Sequence, residues 1–512
     1  MRITRRAAAV AAAVVLALAA TSQAATARNS LVRVSQGDPF AACAVGGTPT
    51  STLYPAAEVE PDIAVDPGRP DRIIGVWQQD RWSDGGAHGI GVTWSGNGGR
   101  TFSETVLPFS SCAPGGLGYE RASDPWVSFG PDGTAYANAL AFDGTTARNT
   151  VAAAVSRDGG RTWRHPTVLI DDTSIQFFND KNSITADPRR AGTAYSVWDR
   201  LDGGPTGQQL LTGPALLSVT HDFGRTWSTP RVIVPTGQFD QTIGNIIVGD
   251  PRTGALYDVF NRITYTDASA NQVVSARYEV VRSGDGGRTW SAPVTIAPDT
   301  SVLDVDPNTG AVLRTGGGLP SIAIDPVTGQ LYLAFEGSDF TGGGYDQVEL
   351  SSSTDGGRTW RAPVRVSGVP ASPAFTPTVA VTSTGVVGVS YYDIRTLAPG
   401  NTTTLPTSTW LTVSPRGGRH FDRERQIAPV FDWLAAPRAG GFFLGDYEGL
   451  AAAGNTFRAL FVTTNSGQPN NRNDVYSGQF PAAGGFHPVG SAATLAATAA
   501  AAAPAPAHRR AR

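Results

Sequence analysis

The stretch Ser156–Trp163 reads SRDGGRTW, and close copies of it recur through most of the chain. The other clean copies are Thr220–Trp227 (THDFGRTW), Ser283–Trp290 (SGDGGRTW) and Ser353–Trp360 (STDGGRTW), and the degenerate copies are Ser95–Phe102 (SGNGGRTF) and Ser414–Phe421 (SPRGGRHF). The copies begin at residues 95, 156, 220, 283, 353 and 414, so neighbouring starts are 61 to 70 residues apart. A period of this length predicts a repeat architecture built from one supersecondary unit.

Each copy has the composition of a tight turn between two strands. An Asp side chain, such as that of Asp158, accepts hydrogen bonds from the backbone N–H groups just ahead of it, and the glycines that follow supply positive φ angles. The flanking Thr and Trp suit strands. Each copy is therefore predicted to be a hairpin turn held by its own Asp, with the Trp packed beside it, and its role is structural.

A second phrase recurs between these turns. It reads PDIAVDP at residues 61–67 and PSIAIDP at residues 320–326, with looser forms at residues 125–129, 182–188, 245–251 and 377–381. A turn follows, often Asp-Pro-x-Thr-Gly, and then a second strand rich in Tyr, Val and Phe. The eight-residue turn then joins strands three and four. Each unit is thus predicted to be a four-stranded antiparallel sheet, as in the blade of an all-β propeller.

The eight-residue phrase resembles the Asp box of the sialidase-like β-propellers, and we call each copy an Asp box. The resemblance covers most of the chain and implies one propeller over residues 28–489. It indicates the fold and leaves the activity open, since the same box occurs in enzymes and in non-catalytic propellers.

The number of blades depends on the two ends of the propeller. Six units carry boxes, and three more strands are predicted around residues 448–452, 457–462 and 474–480. Leu31–Ser35 (LVRVS) resembles the outer strand Pro363–Ser367 (PVRVS), so it is a candidate for the fourth strand. Closing the ring with an N-terminal strand removes the open edges. Seven blades are predicted, with six as the alternative if the C-terminal strands only extend blade six.

The N-terminus predicts export. Arg2, Arg5 and Arg6 precede an apolar run over residues 7–20 and then small residues, which is the pattern of a secretory signal peptide, assigned to residues 1–27. No later stretch is apolar enough to span a membrane. Cys43 and Cys112 lie in equivalent loops of adjacent blades, so a disulfide is expected in an exported protein. Residues 490–512 are rich in Ala and Pro and predict a disordered tail.

Composition limits the partners. The net charge is −3 and no basic cluster stands out, so nucleic acid is not expected. The scattered histidines and the two cysteines offer no metal-ligand spacing, and no cofactor is expected. Residues 304–310 (DVDPNTG) resemble a calcium loop only superficially, because the glycine and the closing glutamate are missing, and an inserted hairpin is preferred. One long exported ring is commonly a monomer, and we expect one here.

Positions that vary among the repeats are free for function. The residue just before each inner strand phrase should lie near the mouth of the central channel. These mouth positions are, from the first unit to the last, Glu60, Asp124, Lys181, Gly244, Leu319, Thr376 and Tyr447. A second set, at the end of strand two, is Gln78, Asp143, Asp199, Asn261, Glu336 and Tyr392. Four arginines follow close by, namely Arg81, Arg200, Arg262 and Arg395.

The sialidase resemblance implies roles for some of these residues. Sialidases use a tyrosine nucleophile, a Glu as its base, an Asp as acid/base and arginines that bind the carboxylate of the sugar. This implies Tyr447, Glu60 and Asp124 as catalytic residues. Lys181, Arg81, Arg200, Arg262, Arg395 and Tyr392 are the candidates for binding substrate. No Phe/Tyr-Arg-Ile-Pro segment is present, so the arginine triad of sialidases has no direct counterpart.

Structural alternatives exist for the basic residues. Lys181 is the sole lysine of the chain, and it is either retained for its compact ammonium or simply paired with Asp180. Asp199-Arg200 and Asn261-Arg262 recur at equivalent places, so these arginines are also candidates for ion pairs between blades.

The expected function is that of a secreted, exo-acting glycoside hydrolase that takes an acidic, sialic-acid-like sugar at the channel mouth. The alternative is a non-catalytic propeller that binds glycan or protein on the same face. A purely structural scaffold would leave the mouth groups paired to one another.

Overall fold

The computed structural model describes residues 31–415 and 417–489. The predicted signal peptide (1–27) and tail (490–512) lie outside these residues. The all-β prediction is confirmed, since the described residues contain strands and a single 3₁₀ turn, η1 (Trp433–Ala435), but no α-helix. None of the helical structure in this part of the chain is long and apolar enough to cross a bilayer.

The strands follow the chain as successive antiparallel sheets. Strand β1 (Val32–Arg33) comes first. Blade 1 contains β2 (Leu53–Val65), β3 (Ile73–Trp82), β4 (Ala87–Ser95) and β5 (Ser103–Leu107). Blade 2 contains β6 (Arg121–Phe129), β7 (Ala135–Phe142), β8 (Asn149–Ser156) and β9 (Arg164–Asp172). Blade 3 contains β10 (Phe177–Ala186), β11 (Ala194–Asp202), the short β12 (Thr212–Gly213), β13 (Ala215–Thr220) and β14 (Arg231–Val234).

The next three blades repeat the order. Blade 4 contains β15 (Asp240–Gly249), β16 (Leu256–Tyr265), β17 (Val273–Ser283) and β18 (Val294–Pro298). After β19 (Leu313–Arg314), blade 5 contains β20 (Ser321–Ile324), β21 (Leu331–Gly337), β22 (Gln347–Ser353) and β23 (Val364–Arg365). Blade 6 contains β24 (Ala374–Val381), β25 (Val387–Asp393), β26 (Pro406–Ser414) and β27 (Arg423–Gln426).

The last sheet joins the two ends of the described chain. Short strands β28 (Phe431–Asp432) and β29 (Phe442–Phe443) pair with β26 and β19. Three strands then pair in order, β30 (Gly449–Ala453), β31 (Thr456–Thr464) and β32 (Asn473–Pro481), and β33 (His487–Pro488) returns to β27. Strand β1 completes this closing sheet, since Val32 pairs with Ser477 and Arg33 with Tyr476.

Apolar side chains fill the space between neighbouring sheets, as in a β-propeller. Ile74 and Val92 of blade 1 pack with Ala137 of blade 2, and further clusters join each following pair of blades. The largest cluster joins blade 6, the closing sheet and blade 1. The sheets are therefore held side by side around a central axis.

The Asp boxes stabilise their own turns and also the interfaces between neighbouring sheets. Thr162 donates to Asp158 from its backbone N (3.0 Å) and from Oγ1 (2.6 Å), and the boxes at Asp222, Asp285 and Asp355 repeat this pair of bonds. The aromatic residue that ends each box packs into the cluster shared with the preceding sheet; these residues are Phe102, Trp163, Trp227, Trp290, Trp360 and Phe421. Each box therefore ties its turn to the adjacent sheet.

The predicted disulfide is present between Cys43 and Cys112, which are 69 residues apart in sequence. It ties the segment before blade 1 to the loop that enters blade 2. We expect the Cys43→Ser/Cys112→Ser variant to lose about 2 to 4 kcal/mol of unfolding free energy, because a crosslink over a long loop restricts the unfolded chain. Guanidinium unfolding of both proteins measures this, and equal midpoints with equal slopes would contradict it.

Candidate active site

Five of the seven mouth positions share an unusual backbone conformation. Positive φ angles occur at Glu60 (54°), Asp124 (52°), Lys181 (44°), Gly244 (70°) and Thr376 (54°). In each case the inner strand shifts its register against strand two at this point. Left-handed residues other than glycine cost about 1–2 kcal/mol. The repeated bulge therefore reflects a constraint of the fold, and it brings side chains of different blades together at the mouth.

Lys181 is the centre of this group. Its Nζ lies 2.6 Å from Asp446 Oδ2, 3.0 Å from Asp124 Oδ2 and 3.4 Å from Glu60 Oε1. The Lys181 side chain is 11% exposed, and the three carboxylates are buried. The Asp446 backbone N–H also donates to Glu60 (3.4 Å). We call Glu60, Asp124, Lys181 and Asp446 the mouth cluster; it joins blades 1, 2 and 3 to the segment before the closing sheet.

The ammonium ion sets the charge of two of these carboxyl groups. Burial alone would raise the pKa of Asp124 and Asp446, but Lys181 and the hydrogen bonds to these groups together outweigh burial, and both pKa values lie below the usual range. Arg314 adds to the effect at Asp446, where its Nε donates to Oδ1 at 2.9 Å and its Nη2 donates to Oδ2. Asp124 and Asp446 are therefore ionised at neutral pH.

Glu60 has the opposite shift. Burial and the nearby Asp124 carboxylate raise the pKa of Glu60 to about 8, against the opposing effect of Lys181. Gln78 Nε2 donates to Glu60 Oε2, and Arg81 Nη1 donates to Gln78 Oε1 at 2.7 Å. Glu60 therefore holds a proton at neutral pH while Asp124 does not. Neighbouring carboxyl groups with separated pKa values are the usual basis of acid/base catalysis.

Tyr447 lies beside this cluster and faces the channel. Its hydroxyl donates to the Pro125 carbonyl oxygen at 3.2 Å, and its ring centroid is 5.2 Å from that of Trp126. Burial first, and then the Glu60 carboxylate, raise the pKa of Tyr447 well above its usual value. The predicted proximity of Tyr447 to Glu60 agrees with the Glu60 N–H bond to the Leu444 carbonyl (3.1 Å) in the same segment.

Two cavities meet at the mouth cluster. The outer one, the mouth pocket, has a volume of about 630 Å³. The inner one, of about 120 Å³, lies in the channel among the inner strands. Lys181 and Asp446 line both cavities, whereas Tyr447 lines the inner one. The Lys181–Asp446 ion pair thus forms part of the wall between the pocket and the channel, together with Gly316 and Leu319.

An insertion between blades 4 and 5 supplies one side of the mouth pocket. Residues 304–312 form the predicted hairpin, with a bridge between Val305 and Val312 and an Asp306 N–H bond to the Ala311 carbonyl (2.9 Å). The strand after it carries Arg314, which is 36% exposed, borders the pocket and lies over the Phe443 ring. Arg314 and Asp446 were not predicted; the longest interval between boxes, 70 residues, was the available signal for this insertion.

The other predicted arginines have their own partners. Arg200 pairs with Asp172 (2.6 Å), Arg262 with Asp240 (2.7 Å) and Glu279 (2.8 Å), and Arg395 with Glu424 (2.8 Å) and Asp393. None of these partners belongs to the mouth cluster. Arg81, by contrast, reaches Glu60 through Gln78.

Tyr392 is buried between blade 6 and the closing sheet. Its hydroxyl lies within hydrogen-bond distance of the Val462 carbonyl (2.8 Å) and of the Glu448 carboxyl group, and its ring packs edge-on against Trp433. Burial first, and then Glu448, raise the pKa of Tyr392 well above the usual range.

Residues at the end of strand two connect neighbouring blades. Asp199 of blade 3 accepts from the Gly244 N–H (3.0 Å), and Glu336 of blade 5 accepts from the Thr376 N–H (2.6 Å). Both bonds hold a bulged mouth position of the next blade. This second set of residues therefore supports the mouth.

Three buried carboxyl groups lie beside the mouth pocket. Asp304, Glu336 and Asp346 each present an oxygen within 4.8 Å of the others, a spacing that would suit a metal ion. Thr315 Oγ1 donates to Asp304 (2.8 Å), and the Val302 N–H donates to Asp346 (3.0 Å). Burial is the main cause that raises the pKa of Asp304 to about 6 and that of Asp346 to about 8. Near pH 7 some of these three carboxyl groups therefore hold a proton, which reduces the negative charge of the group.

Comparisons with known proteins concern the fold. No protein-family model matches the sequence, and no curated protein matches it. Similar solved structures include a protein of unknown function from Dyadobacter fermentans (11% identity, TM-score 0.45), which covers 84% of this chain and 97% of that one.

Two glycosidases are also among the similar solved structures. A Hadza microbial sialidase is 14% identical with a TM-score of 0.44 over 80% of this chain and 73% of its own. The GH93 α-L-arabinofuranosidase of Fusarium graminearum is 10% identical with a TM-score of 0.44 over 84% of this chain and 96% of its own. These similarities concern the overall fold and assign no family or activity to this chain.

Proposed function

We propose that this protein is a glycoside hydrolase whose active site is the mouth cluster and the adjoining pocket. The observation that carries the proposal is that Glu60 and Asp124, two buried carboxyl groups whose pKa values are shifted in opposite directions, contact the same ammonium ion beside the mouth pocket. The mouth pocket, at about 630 Å³, has the size of a small-molecule site.

The protonation states suggest the roles. Glu60, which holds its proton at neutral pH, is proposed as the general acid, and the ionised Asp124 as the base, which reverses the roles that the sialidase resemblance implies. Tyr447 is proposed as the nucleophile, and its pKa requires that a base remove its proton as it attacks. Lys181 would move away from Glu60 and Asp124 as the substrate enters, because it now lies between them and the pocket.

The proposed substrate is an acidic sugar at the end of a glycan chain, from which an exo-acting hydrolase would remove it. Arg314 uses Nε and Nη2 for Asp446 and Nη1 for the Ala439 carbonyl (3.3 Å), but its side chain is 36% exposed and one N–H on each terminal nitrogen remains for a substrate carboxylate. Arg200, Arg262, Arg395 and Tyr392 are left out of the proposed site, since their partners lie elsewhere.

A non-catalytic, glycan-binding propeller is the second candidate. The pairing of Glu60, Asp124 and Asp446 with Lys181 is what a structural scaffold would also show, and the mouth pocket beside them is what favours a binding role over a scaffold. In that case the same pocket would bind a sugar without cleaving it.

A panel of fluorogenic glycosides tests the proposal, with α-sialosides and α-L-arabinofuranosides included. Tyr447→Phe is expected to abolish turnover on the α-sialoside. Tyr345→Phe is a matched control, because the Tyr345 hydroxyl also donates to a proline carbonyl, that of Pro370 (2.9 Å). Equal turnover in wild type and Tyr447→Phe would exclude the tyrosine mechanism. No turnover on any glycoside, with binding of free sugars, would favour the second candidate.

We further propose that the ring has seven blades and that the protein is secreted. Strand β1 pairs antiparallel with β32 and so adds a fourth strand to the closing sheet. A closing sheet of four strands supports a seventh blade. The disulfide supports an oxidising compartment.

A further inference from the structure

A small basic cavity lies between the Asp boxes of blades 2 and 3. It has a volume of about 160 Å³ and is lined by Val155, Arg157, Arg164, His165, Phe223 and Arg225. No carboxylate is among these six residues. The antiparallel order places each box at the end of its blade opposite to the channel mouth, so this basic cavity is separate from the proposed active site.

Phe223 departs from the box pattern at this cavity. The other boxes have glycine at the same position, with φ of 63° to 78° at Gly98, Gly159, Gly286, Gly356 and Gly417. Phe223 adopts the same conformation, with φ of 66°, although a side chain is strained there. Its ring lies 4.1 Å from Arg157 Cζ and forms a wall of the cavity. The ring of the strained Phe223 therefore holds the Arg157 guanidinium group in place.

Arg225 differs from the arginines at the same position in two of the other boxes. The arginines at the same box position in blades 2 and 5 donate to the carbonyl of the box Asp, from Arg161 to Asp158 (2.7 Å) and from Arg358 to Asp355 (2.6 Å). Within residues 31–415 and 417–489, no such bond is present for Arg225, whose side chain lines the cavity instead. Three guanidinium groups beside one another repel, and a bound anion would relieve that repulsion.

We propose that the basic cavity binds one tetrahedral oxyanion, a sulfate or phosphate group carried by an anionic polysaccharide. Guanidinium groups bind such oxyanions through paired N–H donors. The cavity has room for one such group and is too small to follow the backbone of a nucleic acid. The site does not depend on the proposed hydrolase activity.

Calorimetric titration of the full protein with dextran sulfate tests the proposal, with uncharged dextran as the neutral polymer. Wild type is expected to bind dextran sulfate and not dextran. Arg225→Ala and Arg164→Ala should each weaken binding about tenfold, the usual effect of losing a charge-assisted bond. Arg288→Ala is the matched control, since Arg288 has the same box position in blade 4, where Gly286 replaces Phe223; it should stay within about twofold.

Phe223→Gly restores the glycine of the other boxes. It should leave the melting temperature equal or higher, because the strain is removed, while binding weakens by about fivefold through loss of the ring that holds Arg157. Inorganic sulfate or phosphate, added at constant ionic strength, should displace the polymer, and the more effective ion identifies the group. Absence of dextran sulfate binding, absence of displacement, or an equal loss in Arg288→Ala and Arg225→Ala would overturn the proposal.

Discussion

The Lys181→Met variant is expected to lose about 3 to 5 kcal/mol of unfolding free energy, the cost of leaving buried charges without their partner. Lys181 Nζ contacts Asp446, Asp124 and Glu60, all of them buried. Without the ammonium, Asp124 and Asp446 would be buried anions beside one another, with Arg314 on Asp446 only. Urea unfolding at pH 7 measures the loss.

The loss should depend on pH. In the variant, Asp124 and Asp446 no longer have the cation that lowers their pKa, so each takes up a proton more readily at pH 5 than at pH 8. The destabilisation is therefore expected to be larger at pH 8. Lys181→Arg keeps the charge and serves as the control, and adding Asp124→Asn to Lys181→Met should restore part of the loss. A change below about 1 kcal/mol, typical of a surface ion pair, would contradict a central role for Lys181.

The stability of the wild-type protein is expected to fall by a few kcal/mol, in order of magnitude, from pH 5 to pH 8. Several buried carboxyl groups have raised pKa values: about 8 for Glu60 and Asp346, and about 7 for Asp62 and Glu349. Burial is the main cause in each case. In this pH range the folded protein holds protons that the unfolded chain has released. Unfolding therefore releases protons, and raising the pH favours it.

The groups with lowered pKa values act in a different range. Asp124 and Asp446 add stability above the pKa of the unfolded carboxyl, and that contribution is lost only in more acidic solution. Asp346→Asn removes one raised group while keeping an oxygen that can accept from the Val302 N–H. Between pH 5 and pH 8, the urea concentration at half-unfolding should therefore fall less steeply for Asp346→Asn than for wild type. A wild-type midpoint that rises with pH would contradict the assignment.

The fold could be predicted because its main signals are local. Each Asp box specifies its own turn through bonds within five residues, such as those between Asp158 and Thr162. The disulfide followed from placing Cys43 and Cys112 in equivalent loops. The mouth positions were also found, since a repeat places equivalent residues on one ring.

The rest of the site depends on contacts that no local pattern encodes. Arg314 reaches Asp446 across 132 residues, from an insertion that breaks the repeat. Arg200 and Arg262 each follow an Asp or Asn, as Arg81 does, yet Arg200 pairs with Asp172 of blade 2 and Arg262 pairs with residues on the two neighbouring strands of its own blade. The basic cavity was missed because its arginines come from two boxes, far apart in sequence, while the overall charge is slightly negative.

The most direct test of the proposed active site is hydrolysis of a fluorogenic α-sialoside by wild type, Glu60→Gln and Glu58→Gln. Glu58 is the matched control, because it is buried on the same strand and accepts from Gln79 (3.1 Å) as Glu60 does from Gln78. The account predicts that Glu60→Gln lowers kcat by about a hundredfold or more with little change in KM. Glu58→Gln is expected to keep most of the wild-type kcat. Unchanged kcat in Glu60→Gln, or no turnover by wild type, would contradict it.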